Sequence, residues 1–129
     1  MKKKILAAFM AATMVAGMSA INVAAEEEGG DLITVGFSQV GAESDWRTAN
    51  TESMQTTFSE ENGYELIFSD AQQKQENQLT AVRNFIQQEV DYILLAPVTE
   101  TGWDTVLQEA KDAGIPVIIV DRMVDVSDD

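Results

Sequence analysis

Residues 90–122 read VDYILLAPVTETGWDTVLQEAKDAGIPVIIVDR, and the order of apolar and polar residues in this stretch decides the fold. Tyr92 to Ala96 is a short apolar run stopped by Pro97. Trp103, Val106, Leu107 and Ala110 then recur at helical spacing, Gly114 ends the helix, and Val117 to Val120 is a second apolar run. Apolar runs without alternation are buried on both faces, as strands are in a parallel sheet covered by helices. The stretch is therefore one strand–helix–strand unit, and Asp121-Arg122 lies at the carboxyl end of its second strand. In open α/β sheets that edge is where ligands bind.

Working outward, the same unit recurs. Leu32 to Ser38 reads as a first strand, followed by a polar loop, Gln39 to Ser44. A helix is expected from about Asp45 to Asn62, with Ser44 as N-cap, Gly63 as its stop, and a thin apolar face of Trp46, Ala49, Met54 and Phe58. Tyr64 to Ser69 is the second strand. Lys74 to Glu89 is the second helix, with Leu79, Val82, Ile86 and Val90 as its buried stripe. Such alternation predicts an α/β, doubly wound parallel sheet in the strand order 2-1-3-4 with right-handed crossovers. No longer internal repeat is evident. The fourth strand, Val-Ile-Ile-Val, is expected at an exposed apolar edge. For that reason the chain reads as the front part of something longer, and the polar tail Asp125 to Asp129 as disordered or cut off.

The first 25 residues stand apart from this pattern. Lys2, Lys3 and Lys4 precede an apolar run from Ile5 to Met18, and Val23-Ala24-Ala25 offers small residues before Glu26. This is the pattern of a secretory signal peptide, with an apolar run too short to span a bilayer; the alternative is an anchor that is never cleaved. Residues 26–129 would then form one small domain at most. All 22 acidic residues lie after residue 25, against five basic ones, so the surface is strongly acidic and unsuited to nucleic acid. There is no cysteine, hence no disulfide, thiolate metal site or lipid-acceptor thiol, and no histidine, which removes the commonest general base and metal ligand. A glycine-rich phosphate loop and a Gly-x-Ser-x-Gly elbow are also missing, so neither an enzyme nor a cofactor or metal site is indicated.

Four clusters fall on loops of the carboxyl edge: Ser38 to Arg47, Asp70 to Gln73, Pro97 to Trp103, and Asp121-Arg122. A monosaccharide suits them, because hydroxyls want carboxylate, guanidinium and amide partners while the C–H face of a sugar ring suits an indole. The candidate ligand residues are Gln39, Glu43, Trp46, Arg47, Asp121 and Arg122. Each has a plainer reading. Trp46 serves equally as the first core residue of a helix, Arg47 as a solvated helix charge, and Asp121-Arg122 as a strand-end cap. Gln72, Gln73, Gln75 and Gln78 read as loop and helix-surface polar residues, and Trp103 as helix core.

Four segments, TVGFSQVGAESDWR (34–47), SDAQQKQENQLTAVRNFI (69–86), VDYILLAPV (90–98) with TGW (101–103), and IPVIIVDR (115–122), resemble the periplasmic sugar-binding proteins of ATP-binding-cassette importers. The resemblance is to the type I, ribose/galactose-binding cluster, with wording closest to the branch that binds galactofuranose. It implies that residues 26–129 are part of the N-terminal lobe of a two-lobed protein whose C-terminal lobe is missing here. It implies a periplasmic or secreted location, capture of a monosaccharide, delivery to a permease, and no catalysis. Trp46-Arg47 corresponds to the family's sugar-stacking loop and Asp121-Arg122 to the pair that grips ring hydroxyls. Ribose-binding members carry Asn where this chain has Ala96, which argues against ribose. Alternatives from other classes are a secreted sensor domain presenting its ligand to a membrane kinase or chemoreceptor, and a secreted enzyme lacking its catalytic half. Cytoplasmic sugar-responsive repressors share the fold, but the signal segment and the absence of a DNA-binding head argue against one.

Overall fold

A computed structural model describes residues 31–126; the expected signal segment and residues 127–129 lie outside the described residues. The elements are β1 (Ile33–Gln39), α1 (Asp45–Thr57), β2 (Tyr64–Asp70), α2 (Gln75–Gln87), β3 (Tyr92–Leu95), α3 (Asp104–Asp112) and β4 (Val117–Ile119). The strands form one parallel sheet in the order β2-β1-β3-β4, as expected from the sequence. All four carboxyl ends therefore share one edge.

The sheet has two unequal faces. α2 and α3 cover one, where Val82, Phe85, Ile93, Leu95, Trp103 and Val106 are buried together. Trp103 is fully buried and its indole Nε1 donates to Thr99 O at 2.8 Å, which satisfies its one polar atom. The core reading of that residue holds. α1 lies on the other face, where Met54 and Phe58 pack against Val35, Phe37, Val40 and Leu94. Phe58 also meets Tyr64 edge to face, with ring centroids 5.1 Å apart. β4 is an edge strand, and Ile118 is half exposed on it.

The buried stripe of α2 is rotated from its expected position. Gln78, Ala81, Val82 and Phe85 point inward, while Leu79 and Ile86 are only partly buried. Gly36 explains the rotation: a Cβ there would lie 2.5 Å from Phe85 Cγ, so the bare backbone of β1 is the seat for the Phe85 ring. Gln78, expected on the surface, is fully buried. α2 ends in a Schellman motif, with Val90 N–H on Phe85 O and Glu89 N–H on Ile86 O. Glu89 takes the left-handed conformation there (φ 54°), so no glycine signals the stop. α3 closes in the same way with Gly114 (φ 71°), as its sequence announces.

α1 is shorter than expected. It stops at Thr57, and a single 3-10 turn, Glu60–Asn62, precedes Gly63. The cause is Asn62, whose side-chain Nδ2 donates to Thr56 O at 3.2 Å and Thr57 O at 3.0 Å and so caps the last carbonyls of α1. Asn62→Asp removes both donors and sets a negative charge at the negative end of the helix dipole. It is expected to cost about 1 kcal/mol, a fall in Tm of roughly 5 °C in a thermal melt. An unchanged melt would remove this role from Asn62. Of the expected tail only residues 125–126 are described; Asp125 N–H donates to Glu100 O at 2.7 Å, just after Val124, which packs on the core.

Candidate functional site

The site forms where β1 and β4 end. Ser44 caps α1 through its Oγ, which accepts from Arg47 N–H at 3.2 Å, and this cap fixes which residues of the first turn face the sheet. The inward positions are Arg47, Asn50 and Thr51, followed by Met54 and Phe58, so the first half of this buried face is polar. Trp46 points outward instead, 55 % exposed, which overturns its reading as a core residue. Arg47 is 6 % exposed, which overturns its reading as a solvated helix charge.

Arg47 is held from three sides. Its Nε donates to Glu43 Oε1 at 2.8 Å, and its Nη1 donates to Asp121 Oδ2 at 2.5 Å and to Gln39 Oε1 at 3.4 Å. Charged pairs of this kind are stronger than neutral hydrogen bonds and fix the plane of the guanidinium. Gly41 makes room for Glu43, because a Cβ there would sit 2.8 Å from Glu43 Oε2. The cation lies 5.4 Å from the centroid of the Trp46 ring, so the exposed indole is stacked on its neighbour. Among the described residues these bonds engage Nε and Nη1 of the fork and not Nη2.

Gln39 has a different place from the other candidates. It is fully buried; its Oε1 accepts from Val40 N–H and from Arg47, and its Nε2 donates to Asn50 Oδ1 at 2.8 Å and Thr51 Oγ1 at 3.3 Å. It lies beneath the guanidinium, with both ends of its amide engaged.

Asp121 reaches Arg47 across the end of β3. The chain turns sharply after β4: Asp121 adopts φ 72° and Arg122 N–H donates to Val120 O at 2.9 Å. Aspartate is among the few residues other than glycine that enter this conformation readily. Arg122 is exposed and donates from Nη1 to Val98 O at 3.3 Å. The structure thus joins Gln39, Glu43, Trp46, Arg47 and Asp121 in one group and sets Arg122, just after β4, against the adjoining loop that follows β3. The residues missed from sequence are Asn50 and Thr51 under the site, and Gln78 behind that loop. Their helical spacing from Arg47 is the only signal for the first two.

One edge of the sheet thus carries a locked guanidinium, two carboxylates and an exposed indole. Among the described residues no group of three or more acidic, His or Cys side chains is placed to hold a metal ion. None of their helices is long and apolar enough to cross a membrane.

The chain belongs to the periplasmic binding protein domain family, which it matches over residues 33–129. It is 56 % identical over 96 residues to the galactofuranose-binding protein YtfQ of Escherichia coli K12, covering 74 % of this chain and 30 % of that protein. It is 39 % identical over 125 residues to the fructose import binding protein FruE of Bifidobacterium longum, covering 96 % and 38 %. Among solved structures it resembles the binding component of the arabinose ABC transporter of Shewanella sp. ANA-3, bound to α- and β-L-arabinofuranose. Identity there is 60 % and TM-score 0.70, over 74 % of this chain and 31 % of that one. A Mycobacterium smegmatis structure in complex with β-D-fucofuranose gives 60 % and 0.71, over 75 % and 31 %. The chain thus spans 30–38 % of the length of these relatives.

Proposed function

We propose that these residues are part of the first lobe of an extracytoplasmic sugar-binding protein that captures a monosaccharide in its furanose form and delivers it to an importer permease. The observation that carries the reading is the buried Arg47, fixed by Glu43, Gln39 and Asp121 with Nη2 left over. A donor held in place before the ligand arrives spends little ordering entropy on binding. In this reading Arg47 and Asp121 grip adjacent ring hydroxyls, and Arg122 adds a second cation. Trp46 covers the C–H face of the ring, Glu43 orients and neutralises Arg47, and Gln39 supports Arg47 from below rather than touching the sugar. The furanose preference is supported by the ligands of the relatives: galactofuranose in one name, and L-arabinofuranose and β-D-fucofuranose in two solved complexes.

One edge of one sheet offers half a cleft. A second lobe would supply the other wall and close over the sugar about a hinge. In this reading the sugar is bound and handed over unchanged. Residues 1–25 would direct export and be cleaved in the course of it, after Ala25, with Glu26 as the mature N-terminus. The importer names among the relatives favour transport over presentation to a membrane sensor.

Calorimetry on the intact exported polypeptide tests the site. Arg122→Ala is expected to weaken sugar binding by about 1.5–3 kcal/mol, the scale of a charge-assisted hydrogen bond. Trp46→Ala is also expected to weaken it, through lost ring stacking. Unchanged affinity in both would mean that these residues only finish a strand and a helix.

A further inference from the structure

We propose that Gln78 is a positioning residue for the ligand edge: its side-chain amide fixes the segment after β3 and, through Val98 O, the guanidinium of Arg122. Gln78 lies on α2, remote in sequence from all six candidate ligand residues, and is fully buried in an otherwise apolar stripe. Its Nε2 donates to Ala96 O at 2.7 Å and its Oε1 accepts from Val98 N–H at 2.8 Å. A buried polar side chain is retained at such a place only when its partners need it.

They do. The pairing of β3 with β1 reaches Ala96, whose N–H donates to Ser38 O at 3.0 Å, and then meets Pro97, which has no N–H to give. The carbonyl before the proline and the N–H after it would both lack partners. One amide supplies a donor to the first and an acceptor to the second, as a neighbouring strand would. Val98 leaves this clamp with its own carbonyl free to accept Arg122 Nη1 at 3.3 Å. The rest of the segment is held from other sides: Thr99 O by the Trp103 indole, Glu100 O by Asp125 N–H, and Thr101 O by Gln75 Nε2 at 2.6 Å. Gln75 and Gln78 lie one turn apart on α2. The first grips the far part of the segment, and the second grips the part whose Val98 carbonyl accepts from Arg122.

The proposal rests on the sugar-binding reading only for what Arg122 then does, and the positioning is measurable with no sugar present. The test is amide exchange and 15N–1H spectroscopy on this chain, reading the Val98 amide, the Trp103 indole and the Arg122 Nε–H. Gln78→Met conserves side-chain volume and removes both bonds. Protection of the Val98 amide is expected to fall roughly tenfold, the loss of one hydrogen bond, and the Arg122 signal to move, with the far-ultraviolet circular dichroism unchanged. Gln78→Glu keeps the acceptor for Val98 N–H, so that amide stays protected while the Arg122 signal still moves. If Gln78→Met leaves both signals in place, Gln78 only fills space and the proposal is wrong. Should Gln78→Met not fold, Gln75→Ala decides with Gln78→Glu. Gln75→Ala is expected to shift the Trp103 indole and spare the Val98 amide. Equal exposure of Val98 in Gln75→Ala would show the segment to be held as a whole, and would overturn a special role for Gln78.

Discussion

Arg47→Met is expected to abolish measurable sugar binding by the intact polypeptide and to lower its stability by about 2–3 kcal/mol. Removing one partner of a buried pair usually costs about 3–5 kcal/mol, because the other charge is left uncompensated. The lower figure applies here because Asp121 and Glu43 keep 24 % and 30 % of their side-chain surface in contact with water. Both carboxylates would lose their cation, and Gln39 Oε1 would keep only the Val40 N–H. Arg47→Lys keeps the charge but not the fork, so it is expected to recover part of the stability and little of the binding. The ion pair between Arg83 and Glu109 serves as a control. Both of its side chains are about half exposed, and breaking it is expected to change stability little. Denaturant unfolding and calorimetry check these outcomes. An Arg47→Met protein of unchanged stability that binds sugar normally would show the guanidinium to be incidental.

Gly36→Ala has the larger effect on folding. The added Cβ would lie within 2.8 Å of three ring carbons of Phe85, which is itself 2 % exposed and has no room to withdraw. Overpacking of this kind costs about 3 kcal/mol or somewhat more, a large fraction of the roughly 5–10 kcal/mol that holds a small domain together. A fall in Tm of more than about 12 °C is expected. Gly36→Ala combined with Phe85→Leu should be more stable than the sum of the two single effects, since the smaller side chain vacates the contested space. Strict additivity in a double-mutant cycle would show that the two residues do not meet as described.

The strands and their order were legible because unbroken apolar runs alternate with helical spacing, although β4, at the sheet edge, is only partly buried and leaves Ile118 half exposed. Tyr92–Ala96 and Val117–Val120 cannot be alternating strands, and strand–helix alternation leaves few topologies. The cap at Ser44 and the stop at Gly114 were legible for local reasons, since each acts within one turn of its helix. Asn62 as a cap and Glu89 in a left-handed turn were not, because neither residue type reserves those positions. Trp46 and Arg47 were recognised as a pair, but which of them faces inward depends on partners elsewhere. Asp121, 74 residues away, and the buried Gln39 draw the guanidinium in, and the indole is left outside. Gln78 was hidden for the same reason. By composition it is a surface residue; its burial follows from the register that sets it opposite Pro97.

Calorimetric titration of the intact exported polypeptide with L-arabinose, D-galactose and D-ribose tests the central claim most directly. Saturable binding of arabinose or galactose through their furanose forms is expected, at about micromolar concentration or below, with ribose much weaker. Residues 26–129 alone, offering one wall of the cleft, are expected to bind none of the three tightly. Tight sugar binding by residues 26–129 alone, or no binding of any sugar by the intact polypeptide, would contradict that claim.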